Sequence, residues 1–291
     1  MQISFSKYHG AGNDFIIIDN RTGLFSSLTA NTIVGLCHRH FGIGADGLIL
    51  LENPVGQEDF TMRYYNADGY EGSMCGNGGR CIAAFAHRTI TAKREYVFRA
   101  IDGIHSAEIL TTNDNNYLIR LQMADVTQVE KRGNDYFLNT GSPHLVRFVN
   151  DIENLNFISD ARALRYDPQC TGDDGANINF VQQMSQGWLV RTYERGVEDE
   201  TLACGTGNVA TAIAIQYAQQ SLVDGQTCHV ELQARGGRLK VDFAYRNGII
   251  TDVFLCGEAC FVFDGNAFPI STLPAEGMGD RQRFFMLNAK E

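Results

Sequence analysis

The chain has 291 residues, length enough for two domains of ordinary size, and its 44% apolar and 20% charged residues belong to a globular protein rather than a disordered, collagen-like or coiled-coil one. With 34 acidic against 24 basic residues, a net charge of −10 and no basic block, it lacks the means for a sequence-independent grip on nucleic acid or an anionic membrane, so a small-molecule partner is expected. No stretch reaches the roughly 18 apolar residues of a membrane span and the first ten residues lack the layout of a signal peptide, which predicts a cytoplasmic location.

In chain order, alternating or β-branched runs bounded by Gly, Asn and Asp predict short strands. They cover Phe15 to Asp19, Gly47 to Leu51, Thr61 to Asn66, Glu95 to Ala100, Tyr117 to Gln122, His144 to Val149, Ile178 to Gln182, Leu189 to Glu194 and Ile249 to Leu255. Two segments differ: Cys81 to Arg88 and Val209 to Ala218 are rich in Ala and Ile, apolar nearly all round, and free of Gly and Pro. Each reads as a helix buried on every side. The glycines of Gly42 to Gly47 read as a turn, because no GKS or GKT follows to make a phosphate loop.

The two helices are each preceded by a Cys-Gly-x-Gly turn, Cys75 to Gly78 and Cys204 to Gly207. The cysteines lie 129 residues apart, as do Gly12 and Gly141, and Tyr64 and Tyr193, while Asp46-Gly47 and Asp174-Gly175 are 128 apart. A repeated offset across several landmarks marks a duplication. The expected fold is α+β, with two pseudo-symmetric domains at 1–123 and 124–266, each a mainly antiparallel, barrel-like sheet around one central helix. Residues 267–291 read as an appended tail.

A cysteine at a helix start feels the positive end of the macrodipole, which favours thiolate, and the glycines after it expose backbone N–H groups that bind a carboxylate. Two such turns facing each other would put one thiol on each face of an α-carbon, the geometry of a two-base racemase or epimerase. The other cysteines, Cys37, Cys81, Cys170, Cys228, Cys256 and Cys260, read as small buried hydrophobes. None is in CxxC spacing and no histidine lies near Cys256 and Cys260, so no metal site is expected.

The segments Tyr8 to Phe15, Asn66-Ala67-Asp68-Gly69 leading to Met74 to Gly78, and Tyr193 to Gly196 leading to Ala203 to Gly207 resemble those of diaminopimelate epimerases, with a likeness running from about residue 3 to 265. The resemblance implies a cofactor-independent enzyme interconverting LL- and meso-diaminopimelate, in lysine and peptidoglycan precursor synthesis, with its site in a cleft between two pseudo-symmetric domains. It places the catalytic pair on Cys75 and Cys204. Substrate binding falls on Asn13, Asn66, Asn177, Glu194 and Arg195 and on the backbone of Gly76-Asn77 and Gly205-Thr206. His144 falls beside the site, where a structural histidine is the alternative, and the resemblance allows a homodimer. Two positions depart: Gly47 stands where the family commonly has glutamine, and Ser142 where it often has asparagine.

Arg195 suits a bidentate carboxylate contact and Glu194 an ammonium. Such a charged pair fits a substrate with a distal amino acid end better than the proline racemases and hydroxyproline epimerases, which also use paired cysteines. Pyridoxal-phosphate chemistry needs a Schiff-base lysine, and none of Lys7, Lys93, Lys131, Lys240 and Lys290 sits in a glycine-rich phosphate-binding context. A non-enzymatic amino-acid-binding module would have no need of both thiols.

Overall fold

The computed structural model describes residues 2–268, so the tail read at 267–291 lies, beyond Phe268, outside the described residues. The first half of the chain forms β1 (Ile3–Gly10), β2 (Asn13–Asp19), α1 (Ala30–Cys37), β3 (Gly47–Glu52), β4 (Phe60–Asn66), α2 (Gly76–Thr89), β5 (Glu95–Ala100), β6 (Gly103–Asn113) and β7 (Asn116–Gln122). Then follow β8 (Val129–Arg132), β9 (Asp135–Asn139), β10 (Pro143–Phe148), α3 (Phe157–Arg165), α4 (Pro168–Thr171), β11 (Asn177–Gln183), β12 (Trp188–Glu194) and β13 (Asp199–Thr201). The chain closes with α5 (Gly205–Ala218), β14 (Thr227–Ala234), β15 (Gly237–Arg246) and β16 (Ile249–Ala267). Among the described residues no helix is long and apolar enough to cross a membrane.

Strand order β1-β2-β3-β4-β5-β6-β7-β16, with β16 returning to β1, wraps the first half around α2. The second half wraps α5 with β16-β15-β14-β12-β11-β10-β9-β8. Most pairings are antiparallel; β2–β3, β4–β5, β10–β11 and β12–β14 are parallel. The 19 residues of β16 serve both walls: Ile249 to Gly257 pair with β15, whereas 258–267 pair with β7 and β1. The reverse crossing occurs after β7, where the Met123 N–H donates to Val253 O at 2.8 Å and Val126 bridges Ile250, before β8 joins β9. The first half is thus completed by a strand segment from the second half's stretch of chain.

The two halves superimpose in sequence with local slips. β2 and β10 keep the 129-residue offset, since Phe15 pairs with Gly47 where His144 pairs with Asn177, but that register makes Asn177 the counterpart of Gly47, at 130. Asp174-Gly175, matched to Asp46-Gly47 from the sequence, lies before the strand. Likewise Tyr193 belongs to the outer cluster with Ile178 and Phe180, as Tyr65 does with Leu48 and Leu50, while Tyr64 faces the inner core. A one-residue shift of strand register exchanges faces, so an identical letter at a constant spacing can sit on the wrong side of the sheet.

Both central helices start earlier than expected, at Gly76 and Gly205, because the glycines form the first turn instead of a preceding loop. Glycine costs about 1 kcal/mol against alanine in a helix interior, yet here it is needed for contact. A Cβ on Gly79 would lie 3.0 Å from Leu121 Cδ2 and Met74 Sδ, and one on Gly207 2.5 Å from Asn179 Oδ1. Beyond the first turn, Val209 to Ile215 are at most 1% exposed on all sides, as the all-round apolar pattern requires, and each buried Val or Ile contributes about 1.5–3 kcal/mol.

The halves also meet where the β1–β2 turn rests on the β14–β15 hairpin. Gly236 donates its N–H to Leu202 O at 2.8 Å, and a Cβ there would lie 1.8 Å from Ala11 O. Gly236→Ala is therefore expected to lower stability by about 1–3 kcal/mol or more, read as a reduced denaturation midpoint. An unchanged midpoint would mean that the hairpin does not rest on the turn.

Candidate active site

The N-termini of α2 and α5 meet tip to tip at the seam between the halves. A Cβ on Gly205 would lie 3.3 Å from Gly76 Cα, and one on Gly76 3.6 Å from Gly205 Cα, so the two first turns meet in direct contact and a side chain at Gly205 would push them apart by a few tenths of an ångström. Cys75 and Cys204 are the N-cap residues, both with extended backbone, φ −87° and −104°. Neither side chain caps its helix, which leaves both sulfurs available at the seam.

On the first side the Cys75 thiol donates to Asn13 Oδ1 at 3.5 Å. The Asn13 amide is held in turn: its Nδ2 donates to Asp46 Oδ2 at 2.8 Å, and its Oδ1 accepts from Asn77 Nδ2 at 3.2 Å. Asn77 is 1% exposed and its Nδ2 also donates to Ala203 O, one residue before Cys204, so its side chain ties the halves together and only its backbone N–H faces the site. On the second side Cys204 Sγ lies 3.4 Å from Thr206 Oγ1.

Thr206 leads to His144. Asn179 Nδ2 donates both to Leu145 O and to His144 Nδ1, at 3.2 and 3.1 Å, which fixes its amide orientation and puts the ring proton on Nε2. Nε2–H then donates to Thr206 Oγ1 at 2.9 Å, leaving the hydroxyl proton for the sulfur. Burial, reinforced by the charge of Arg195, pushes His144 down to about 3, so it stays neutral. His144 is fully buried beneath Thr206 and orients it; it does not face the seam.

The asparagines read as substrate ligands differ in freedom. Asn177 is 4% exposed, and its amide is occupied: Nδ2 donates to Pro143 O and Ser142 Oγ, and Oδ1 accepts the Arg195 N–H at 2.8 Å. Asn66 is exposed and accepts from Tyr64 Oη at 2.8 Å. Glu194 and Arg195 form no ion pair with each other or with any described residue; Glu194 approaches both thiols from the end of β12, and Arg195 is exposed.

Both departures from the resemblance have a local cause. A Cβ on Gly47 would lie 2.5 Å from Tyr64 Cε2, so the tyrosine ring occupies the space a longer residue would need. Ser142 Oγ is 3.0 Å from His144 Nε2 and 3.2 Å from Thr206 Oγ1, inside the network that supports Cys204. Tyr64 and Asn179 were not read as site residues. The signal was present in period-two alternation, since each is two residues from an asparagine that was, Asn66 or Asn177, on the same strand face.

The depressed thiol pKa expected at a helix start is not what the site shows. Burial first, and the Glu194 carboxylate among the smaller causes, push both Cys75 and Cys204 up. The N–H groups of Gly78 and Asn77 pull Cys75 down, and Thr206 with the Gly207 N–H pulls Cys204 down, but desolvation outweighs them. Glu194 is itself pushed up, chiefly by burial.

The family model for diaminopimelate epimerase matches residues 5–129 and 136–261, one match in each half. A diaminopimelate epimerase of Flavobacterium psychrophilum is 49% identical over 89% of this chain and 97% of its own length, and one of Chlorobaculum tepidum is 41% identical over 88% and 98%. Among solved structures, a phenazine biosynthesis protein from Bacillus anthracis superimposes with a TM-score of 0.67 at 15% identity, covering 92% of this chain and 99% of that one. A hydroxyproline epimerase from Agrobacterium vitis gives 0.64 at 12% identity, covering 91% and 92%. Two thiols at abutting helix tips, between two halves of one repeated fold, are the arrangement that a two-base racemase or epimerase requires. The chain belongs to the diaminopimelate epimerase family.

Proposed function

We propose that this protein interconverts LL- and meso-diaminopimelate without a cofactor, using Cys75 and Cys204 as the acid/base pair. The observation that carries this reading is the contact of Gly76 with Gly205, which sets an N-cap thiol on either side of one point. The reacting carboxylate binds the N–H groups of Gly76-Asn77 and Gly205-Thr206, where both macrodipoles also stabilise the carbanion. One thiolate takes the α-proton, and the opposite thiol delivers a proton to the other face.

Tyr64, Asn66, Glu194 and Arg195 bound the distal end of the substrate. Glu194, half-buried and without a cationic partner, receives its ammonium, and Arg195 its carboxylate. Asn13 and Asn177 act by holding Cys75 and the Arg195 backbone. A free amino acid substrate fits a cytoplasmic enzyme, and the strand pairings support a domain division near 123/124 with 258–267 returned to the first half.

Incubation with LL-diaminopimelate in D2O should give the meso isomer with deuterium at the inverted α-carbon, while trans-4-hydroxyproline should remain unchanged. Stereochemical inertness of diaminopimelate would refute the reading. Arg195→Lys keeps the charge but loses the planar fork, so KM for diaminopimelate is expected to rise about tenfold or more with a smaller change in kcat. An unchanged KM would remove Arg195 from the substrate site.

A further inference from the structure

Arg80, in the first turns of α2, is 0% exposed and forms no ion pair among the described residues. Its donors meet only neutral acceptors: Nη1 to Gly76 O at 3.2 Å and Nη2 to Asn77 Oδ1 at 2.8 Å, with Nε unpartnered. Two glycines make its slot. A Cβ on Gly10 would lie 3.3 Å from Nη2, and one on Gly257, where β16 passes from one half to the other, 3.3 Å from Cζ and Nε. A buried cation left without a counter-charge is strongly disfavoured, so this arrangement favours a negative charge close to the guanidinium.

The duplication sharpens the point. The offset relating Cys75 to Cys204 places Val209, also 0% exposed, opposite Arg80. The charge therefore sits under one helix tip and not the other. The titratable groups that act on Arg80 are the thiols of Cys81, Cys75, Cys256 and Cys260, and of these Cys75 alone also has helix N–H donors, from Gly78 and Asn77. The guanidinium reaches the seam through Asn77, whose amide it orients toward Asn13 and Ala203.

We propose that Arg80 is a positioning residue that makes the two thiols unequal: its uncompensated charge beneath the α2 tip is matched by the Cys75 thiolate, so that Cys75 ionises before Cys204. The inference deepens the acid/base reading above and rests on it for its catalytic meaning. The groups facing Cys75 are Arg80 and Cys81 from α2, Tyr64 from β4, Glu194 from β12, Cys204 at the α5 tip and the Asn13 amide from β2. Arg80 is the cation among them.

The test is iodoacetamide alkylation of the full chain across pH, with the peptides carrying Cys75 and Cys204 quantified separately, a readout that needs no epimerase activity. In the wild-type protein Cys75 should reach half-maximal rate at least about one pH unit below Cys204, a tenfold difference in thiolate fraction at a given pH. Arg80→Met should raise the Cys75 midpoint by about one unit and leave that of Cys204 in place, whereas Arg80→Lys should keep it low. With diaminopimelate, kcat should fall at least about tenfold in Arg80→Met and be largely restored in Arg80→Lys. Coincident midpoints in the wild type, or Cys204 reacting first, overturn the proposal even if Arg80→Met does not fold. A folded Arg80→Met with an unmoved Cys75 midpoint also overturns it. An inert diaminopimelate assay with the predicted alkylation pattern would instead refute the epimerase reading and leave the inequality of the thiols standing.

Discussion

Alanine at Cys75 or Cys204 is expected to lower epimerisation by about 10²–10⁴-fold, the loss typical of a removed acid or base, in a protein that still folds. Folding should survive because neither side chain caps its helix, so no cap bond is lost. Each thiol serves as base in one direction and acid in the other, so one deletion should stop both directions. Steady-state turnover from each stereoisomer, with circular dichroism as the folding control, checks this. Near-wild-type turnover in either variant would remove that cysteine from the mechanism. Alanine at Cys170 or Cys228, which lie away from the helix tips, should leave turnover largely intact.

Mild oxidant is expected to abolish activity reversibly by joining Cys75 to Cys204. The two residues precede the glycines that touch, so a small closure brings the sulfurs to bonding distance, about 2.05 Å. Because burial holds both thiols above their ordinary value, the thiolate is the minor species at neutral pH and grows as pH rises toward the raised pKa. Inactivation should therefore accelerate by up to about tenfold per pH unit below that value, and bound substrate should protect by filling the gap. Peptide mapping of the inactive protein, and recovery with dithiothreitol, decide the matter. Inactivation with both thiols still free would count against the facing geometry.

Those two thiols were the most legible part of the molecule. Their motif occurs twice at one spacing, and a helix start needs no tertiary information to be recognised. Strands with a clean apolar alternation, such as Glu95 to Ala100, were equally open to reading and occur where expected. β1 was not among the strands read, because both of its faces are buried and one carries Ser6 and the other Lys7, which are acceptable inside through bonds to Asp264 and Gly44 O from distant parts of the chain and to Asp14 of the neighbouring strand. The far half of β16 was hidden for the same reason, since its partners β1 and β7 lie more than a hundred residues away. In the site, Glu194 ends β12 and Arg195 opens the turn after it, so the two adjacent charges stand apart, without an ion pair between them. Burial was likewise invisible in the motif, and it reverses the sign of the thiol shifts.

The crossing of β16 and of residues 123–132 means that the halves are laced rather than merely apposed. Two neighbouring threads pass between them, one in each direction, and both must twist together if the seam is to open for substrate. Opening is thereby confined to a hinge about the crossing, near Met123 to Val126 and Gly257, and a wide separation of the helix tips would tear ladder hydrogen bonds from both walls at once. For the same reason the first half does not own a complete wall, so the duplicated chain is expected to melt as one cooperative unit despite its two central helices. Catalysis gains from this arrangement, because the lacing that limits the breadth of the motion also returns the two sulfurs to the same separation after every turnover.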